Sequence, residues 1–176
     1  MELRKITFII SILFFVVCFS CQNNPTEDTK PIQQNVENEK IAVNREIVRR
    51  ETADIELIAK RYDWNLSRTE SGLYYQIAHA TNGKQAQPKD LVRIKGTIFL
   101  SDGKEIYNSE IDGIKEFTVD RSEDPVGLHE LTKTMREGEK VNGIIPSYLA
   151  HGISGDGELI PPIALLICKI ELIKIN

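Results

Sequence analysis

The order of prolines, glycines and apolar residues between residues 141 and 176 restricts the fold of this chain more than any other feature. An apolar segment ends at Pro146, a glycine-containing loop follows, and Pro161 and Pro162 precede a long apolar segment. Proline has no backbone N–H and is excluded from the interior of a central strand. The pattern therefore predicts two strands separated by a long loop.

Segments further upstream predict more strands of the same kind. Residues 91–100 alternate between apolar and polar side chains, with Val92, Ile94 and Ile98 on one face, which is typical of a half-buried antiparallel strand. A turn at Gly103 follows, because glycine tolerates positive φ. Segments rich in β-branched or aromatic residues predict further strands at 72–78, 117–119, 140–145 and 164–175.

A short helix is predicted between these strands. Asp124 is suited to cap its N-terminus, Pro125 to its first position and Gly138 to its end, with Leu128 on the apolar face. A charged segment at 45–66, with apolar residues at partly helical spacing, predicts a second helix. The predicted fold class is α+β: one curled antiparallel sheet wrapped around one short helix and preceded by an N-terminal amphipathic helix.

From residue 67 to residue 176, several short motifs occur in an order that resembles FKBP-type peptidyl-prolyl isomerases. Their spacing follows the family register almost without gaps. The motifs are Asp102-Gly103, Phe117, Gly127-Leu128, Met135 to Gly138, Ile145-Pro146, Gly152 and Ile160-Pro161-Pro162. The resemblance implies an FKBP-type domain over 67–176 that acts on proline-containing polypeptides and uses neither a cofactor nor a metal.

The implied chemistry is rotation about an X–Pro bond. The partly double C–N bond has a barrier of roughly 18–20 kcal/mol. An apolar pocket that removes water from the amide, and holds the proline ring while the carbonyl swings, favours the twisted state. Such catalysis requires no nucleophile, and the three histidines of this chain lack metal-ligand spacing.

The resemblance also assigns substrate-binding positions, and several of them are substituted. Apolar or aromatic residues are retained at Phe117 and Ile160, and Leu128 stands at the pocket floor where Trp is frequent. Ile94 replaces a Tyr, Tyr107 replaces an Asp, and His151 replaces a loop Tyr whose hydroxyl donates to the substrate. For Tyr107 and His151, two interpretations stay open: a new hydrogen-bond donor, or a side chain without a role in binding.

Pro125 stands where a backbone N–H usually pairs with the ligand, and proline has none to offer. Two functions are therefore predicted from the sequence. The first is a peptidyl-prolyl isomerase of low activity that assists folding of envelope or secreted proteins. The alternative is a non-catalytic FKBP-fold module that binds polypeptides, as a chaperone or as a subunit of an envelope complex.

The first 44 residues predict export and anchoring. Residues 1–20 read as a lipoprotein signal peptide, with Arg4 and Lys5 before an apolar run, and Cys21 is the predicted lipid attachment site. Residues 21–44 contain few apolar side chains and predict a flexible polar tether. Because Cys18 lies in the signal peptide, Cys168 is left without a disulfide partner.

These features also predict a location and partners. With the signal and tether, the chain resembles the gliding-motility-associated isomerase lipoproteins of Bacteroidota. The predicted location is the cell envelope, at the outer rather than the inner membrane, because Gln22 replaces an Asp that retains some lipoproteins at the inner membrane, and on the periplasmic side. The net charge of −4 argues against nucleic acid as a partner. A monomer is expected.

Overall fold

The computed structural model describes residues 30–176, with side-chain environments from residue 36 onward. Residues 44–176 form a compact unit that contains both the sheet and the candidate site. The signal peptide over 1–20 and Cys21 lie outside the described residues. Within 30–176, no helix is both long and apolar enough to span a membrane.

The N-terminal helix is longer than the sequence predicted. Helix α1 runs Lys30–Tyr62, whereas the prediction placed it at 45–66 and assigned 21–44 to a flexible tether. Residues 36–45 are exposed, so burial does not explain their helical conformation. The segment lacks glycine, is rich in Glu, Gln, Lys and Asn, and has Pro31 in its first turn, where proline is tolerated. Hydrophobic periodicity cannot detect a helical segment, such as residues 36–45, that has no buried face.

Helix α1 ends in a Schellman motif. Asp63 adopts a left-handed conformation with φ of 56°, and the N–H of Trp64 donates to the carbonyl of Ala59 at 2.9 Å. This turn brings the Trp64 ring onto Tyr62, with ring centroids 4.8 Å apart, and the ammonium of Lys169 lies 4.3 Å from the centroid of Tyr62. Trp64 therefore packs on its own domain.

The last turns of α1 pack against one face of the sheet. Ile55 and Ile58 are buried there together with Phe99, Ile144 and Ile167. Phe99 and Ile167 each lie between two neighbours whose side chains face the main core, and Ile144 precedes Ile145, which also faces that core. Both faces of the central strands are thus covered, which explains why their sequences contain consecutive apolar residues.

Seven antiparallel strands form the curled sheet. They are β1 Ser67–Arg68, β2 Tyr74–His79, β3 Leu91–Phe99, β4 Glu105–Asn108, β5 Lys115–Thr118, β6 Lys140–Ile145 and β7 Leu166–Ile175. Their order is β1-β2-β6-β7-β3-β4, and β5 also pairs with β3. The predicted α+β fold class, with a curled antiparallel sheet and an N-terminal helix, is confirmed.

Strands β4 and β5 lie along the same edge of β3, and a short insertion separates them. Helix α2, Ser109–Asp112, lies in this insertion. The hydroxyl of Ser109 accepts a hydrogen bond from the N–H of Gly96 at 3.0 Å, which satisfies the donor that the missing strand pairing leaves. The insertion is therefore tied to the sheet edge, where it forms one wall of the candidate site.

Helix α3, Val126–Lys133, packs on the concave face of the sheet. Leu128 is buried, as its predicted place on the apolar face requires, and Leu131 and Met135 are buried beside it. A Cβ on Gly143 of β6 would lie 2.7 Å from a methyl carbon of Leu131. A larger residue at this position would therefore force the Leu131 side chain to shift, and glycine allows the close approach of this helix to the strand without that shift.

The predicted ends of α3 were wrong at both sides. The N-cap is Pro125 rather than Asp124, whose carboxylate instead pairs with Lys115 at 2.6 Å and accepts from the hydroxyl of Ser122. The helix ends at Lys133, and Gly138, with φ of 87°, forms the turn before β6. The carboxylate of Asp124 is thus occupied by Lys115 and Ser122 and does not cap the helix.

Candidate functional site

A cavity of about 340 Å³ opens between α3, the insertion after β4 and the loop that joins β6 to β7. We refer to that last segment, residues 146–165, as the covering loop. The walls contain the apolar side chains Ile98, Ile106, Leu128, Ile145, Ile160 and Leu166, the rings of Tyr107 and Pro125, and the polar side chains Asp112, Lys115, Glu123, Asp124 and His151. Apolar walls with a polar rim suit a small apolar group that is attached to a polar chain.

Two of the predicted apolar contacts lie in this cavity. Leu128 is 2% exposed and projects from α3, and Ile160 is 6% exposed and projects from the covering loop. Ile106 of β4 also lines the cavity. Ile98, Ile145 and Leu166 line it as well, although the sequence did not assign them to the site. The alternation in residues 91–100 predicted that Ile98 faces the core, but alternation does not show where a core opens to solvent.

Tyr107 reaches the cavity, yet its hydroxyl is already engaged. The hydroxyl donates to the carbonyl of Gly113 at 2.8 Å and accepts from the N–H of Lys115 at 3.1 Å. Burial raises the pKa of Tyr107, so the group stays protonated at neutral pH. A phenol has one hydrogen to donate. The Tyr107 hydroxyl is therefore not free to donate to a ligand. It links the insertion, at Gly113, to the first residue of β5, Lys115.

His151 lies half-buried in the cavity wall, on the covering loop. The loop is held by the carboxylate of Asp156, whose Oδ1 accepts from the N–H groups of Glu158, Leu159 and Ile160 at 2.7–2.9 Å. The hydrogen bond from Glu158 is the largest cause of a lowered pKa at Asp156. The carboxylate therefore stays ionised, and Ile160 stays in place, down to a pH below the ordinary pKa of aspartate.

Pro125 lies in the cavity wall at the start of α3. Its carbonyl accepts from the N–H of Leu128 at 2.9 Å, while its ring nitrogen has no hydrogen to give a ligand. The register proposed from the sequence thus places proline, rather than an N–H donor, at the wall. The Lys115–Asp124 pair beside it, at 2.6 Å, fixes the preceding loop against β5.

Phe117 and Ile94 do not line the cavity, although both were assigned as substrate-binding residues. Phe117 is 4% exposed and Ile94 is fully buried, and both belong to the main hydrophobic core. Phe117 pairs with Val92 in the sheet, and its ring meets His129 edge-on at 5.4 Å. Family position alone could not show that these side chains lie beneath the cavity walls.

Sequence reasoning missed the structural role of His129. This side chain is 4% exposed; its Nδ1 accepts from the N–H of Asp120 at 3.2 Å, and its Nε2 lies 3.3 Å from the carbonyl of Ser122. These contacts define a neutral ring with the hydrogen on Nε2. His129 therefore holds the loop that leads to Pro125. No local signal distinguishes it from an exposed histidine.

Comparison with known proteins agrees with this architecture. The model of the FKBP-type peptidyl-prolyl cis-trans isomerase family matches residues 82–173. Macrophage infectivity potentiator of Trypanosoma cruzi is 27% identical over 173 residues, which cover 98% of this chain and 83% of that protein. The isomerase FkpA of Aeromonas hydrophila is 33% identical over 108 residues, which cover 61% of this chain and 40% of that protein.

Solved structures show the same fold. The crystal structure of FkpA from Escherichia coli has a TM-score of 0.64 at 24% identity, and the match covers 97% of this chain and 81% of that one. A peptidyl-prolyl isomerase from Pseudomonas syringae pv. tomato has a TM-score of 0.61 at 25% identity, with 71% and 92% covered. Since the family match extends over more than half of the 176 residues, this chain belongs to the FKBP-type peptidyl-prolyl cis-trans isomerase family, which acts on proline-containing substrates.

Proposed function

We propose that this chain catalyses cis–trans isomerisation of X–Pro bonds, with low activity. The observation that carries the proposal is the apolar cavity of about 340 Å³ between Leu128 and Ile160, in a chain of this family. A proline ring fits between these side chains, while the peptide on either side continues past the polar rim. No covalent step and no cofactor is required.

The proposed mechanism depends on desolvation and position. Inside apolar walls the planar amide loses its water, which favours the less polar, twisted state about the C–N bond. Ile160 and Leu128 hold the ring while the preceding carbonyl rotates. Each ~1.4 kcal/mol removed from the barrier increases the rate about tenfold. The rate therefore depends on how firmly the covering loop and α3 hold these contacts.

Donors to the rotating carbonyl are scarce in this cavity, and this supports low activity. Pro125 has no N–H, and the hydrogen of the Tyr107 hydroxyl is committed to Gly113. We assign His151, half-buried in the wall, as the side chain that donates through a ring N–H. His151 occupies the position on the covering loop where the family resemblance places a Tyr whose hydroxyl donates to the substrate.

The second candidate is a module that binds proline-containing chains without accelerating their isomerisation. The specific observation in its favour is again Pro125, since a cavity with apolar walls and one fewer donor still holds a proline ring. NMR distinguishes the two candidates. A protein that only binds the peptide shifts its resonances without changing the rate of cis–trans exchange.

Replacing Ile160 by Ser is expected to reduce kcat/KM about tenfold or more, because it removes apolar contact and admits water to the cavity. The measurement is cis–trans exchange of an Ala-Leu-Pro-Phe peptide followed by NMR. Ile153→Ser is the matched control: Ile153 belongs to the same loop but is 74% exposed, so its variant should keep the wild-type rate. A folded wild-type protein that binds the peptide without faster exchange would favour the second candidate.

We further propose that the domain works in the cell envelope, anchored by lipid at Cys21 after removal of a signal peptide over 1–20. The support is the sequence pattern: a positive start, an apolar run and a cysteine after Ser20. The proposed location is the periplasmic side of the outer membrane, and the proposed clients are envelope or secreted proteins, including motility components. The domain is proposed to act as a monomer.

Anchoring is tested by growth with a radioactive fatty acid. The wild-type chain is expected to carry the label and to sediment with membranes. Cys21→Ser is expected to lose the label, whereas Cys168→Ser, which alters the one buried thiol of the described chain, should keep it. Label that persists in Cys21→Ser would exclude this anchor.

A further inference from the structure

Helix α1 places a carboxylate inside the protein. The side chain of Glu51 is 5% exposed, and its Oε1 accepts a hydrogen bond from the backbone N–H of Ser147 at 3.1 Å. Among the described residues, its Oε2 is buried and has no hydrogen-bond partner. Burying a carboxylate that is only half satisfied costs folding free energy, so the one hydrogen bond that Glu51 makes is the contact to examine.

That contact lies at the base of the covering loop. Ser147 opens the 3₁₀ turn Ser147–Leu149, directly after β6. Two residues earlier Ile145 lines the cavity, and four residues later His151 does so. A shift of the Ser147 amide therefore displaces two lining residues, Ile145 before it and His151 after it. Glu51 is the residue of α1 that bonds to this amide.

The turn is also held on its other sides. A Cβ on Gly127 would lie 3.0 Å from the carbonyl oxygen of Leu149, so the turn packs directly on the first residues of α3. The hydroxyl of Tyr148 donates to the carbonyl of Ser71 at 2.9 Å, which ties the turn to the segment before β2. Glu51 completes this arrangement from the side of α1, where its Oε1 accepts from the Ser147 amide.

We infer that Glu51 is a positioning residue for the isomerase reaction: through the Ser147 amide it sets the distance between the covering loop and α3. The inference rests on the proposed function. It makes the second half of α1 part of the catalytic unit, although no residue of α1 lines the cavity. Glu51 touches no substrate, so its effect passes through the position of His151 and Ile145.

The test uses two substitutions in the full chain. Glu51→Gln keeps an oxygen acceptor of the same length, whereas Glu51→Met keeps the volume and removes the acceptor, with a flexible side chain that adapts to the space. Glu56, an exposed residue of the same helix, provides the matched controls Glu56→Gln and Glu56→Met. The readouts are kcat and KM for peptide isomerisation and hydrogen exchange at the Ser147 amide.

We expect Glu51→Met to reduce kcat about tenfold with little change in KM, because a displaced loop misaligns groups that act on the twisted state. Exchange at Ser147 should become faster in the same variant. Glu51→Gln should keep both kcat and the exchange rate at Ser147 within about twofold of the wild type, because its side-chain oxygen still accepts the hydrogen bond. Both Glu56 variants should match the wild type in both readouts.

Two results would overturn the inference. One is a folded Glu51→Met protein with wild-type kcat and wild-type exchange at Ser147. The other is an equal loss in Glu51→Met and Glu56→Met, which would indicate a general effect of helix composition. If the wild type itself does not isomerise the peptide, the proposed function fails, and exchange at Ser147 in the four variants still decides whether Glu51 holds the loop.

Discussion

Phe117→Ala is expected to lower the free energy of unfolding by about 3–5 kcal/mol and to leave the activity of the folded protein nearly unchanged. The ring is 4% exposed and contacts His129 edge-on at 5.4 Å, but it does not line the cavity. Its removal leaves a void in the core and weakens the support of the loop before Pro125. Position in the family register had assigned this residue to substrate binding.

Urea denaturation, followed by the fluorescence of Trp64, measures the first quantity, because Trp64 is the single tryptophan of the chain. The matched control is Ile114→Ala, since Ile114 is 47% exposed and lies three residues away. Activity is then compared at a temperature where both variants are folded. A loss of more than tenfold in kcat/KM without a loss of stability would show that Phe117 takes part in substrate binding.

Gly127→Ala is expected to destabilise the protein by about 1–3 kcal/mol and to distort the cavity. A Cβ at this position would lie 2.2 Å from Cγ2 of Ile145 and 3.0 Å from the carbonyl oxygen of Leu149. Ile145 is fully buried and lines the cavity, so a displaced Ile145 side chain would enter the cavity and change its shape. If Ile145 stays in place, α3 must move away from β6 and the covering loop instead.

A double-mutant cycle identifies the clash as the cause. Ile145→Ala removes Cγ2, so Gly127→Ala should destabilise an Ile145→Ala background by at least about 1 kcal/mol less than it destabilises the wild type. Val126→Ala, at an adjacent residue that is 66% exposed, should be nearly neutral. Additive effects of the two substitutions would show that α3 accommodates a methyl group at Gly127 without contact with Ile145.

Much of the fold was predictable from the sequence because its signals are local. The alternation of apolar and polar residues predicted β3. Pro146 marked the end of β6, and Pro161 and Pro162 preceded the start of β7. The length of α1 was not predictable in this way, because residues 36–45 have no buried face to impose a period. The consecutive apolar residues Ile144 and Ile145 lie in the strand predicted at 140–145, but only the packing of α1 explains why both faces of that strand are covered.

The candidate site was predictable only in part. Leu128, Ile160, Tyr107 and His151 all line the cavity, as the family register indicated. Phe117 and Ile94 lie beneath its walls, and the hydroxyl of Tyr107 is committed to a neighbouring loop. Register specifies which residue occupies a position along the chain, whereas exposure to a cavity depends on neighbours that are distant in sequence.

By itself, the sequence determined the α+β fold, the family and the position of the covering loop, because periodicity, prolines and glycines act over a few residues. Only the tertiary structure decided which side chains reach the cavity and which support it. The bond between Glu51 and Ser147 joins residues that are 96 positions apart. Such a contact forms only when burial brings a helix and a loop together, and no local pattern encodes it.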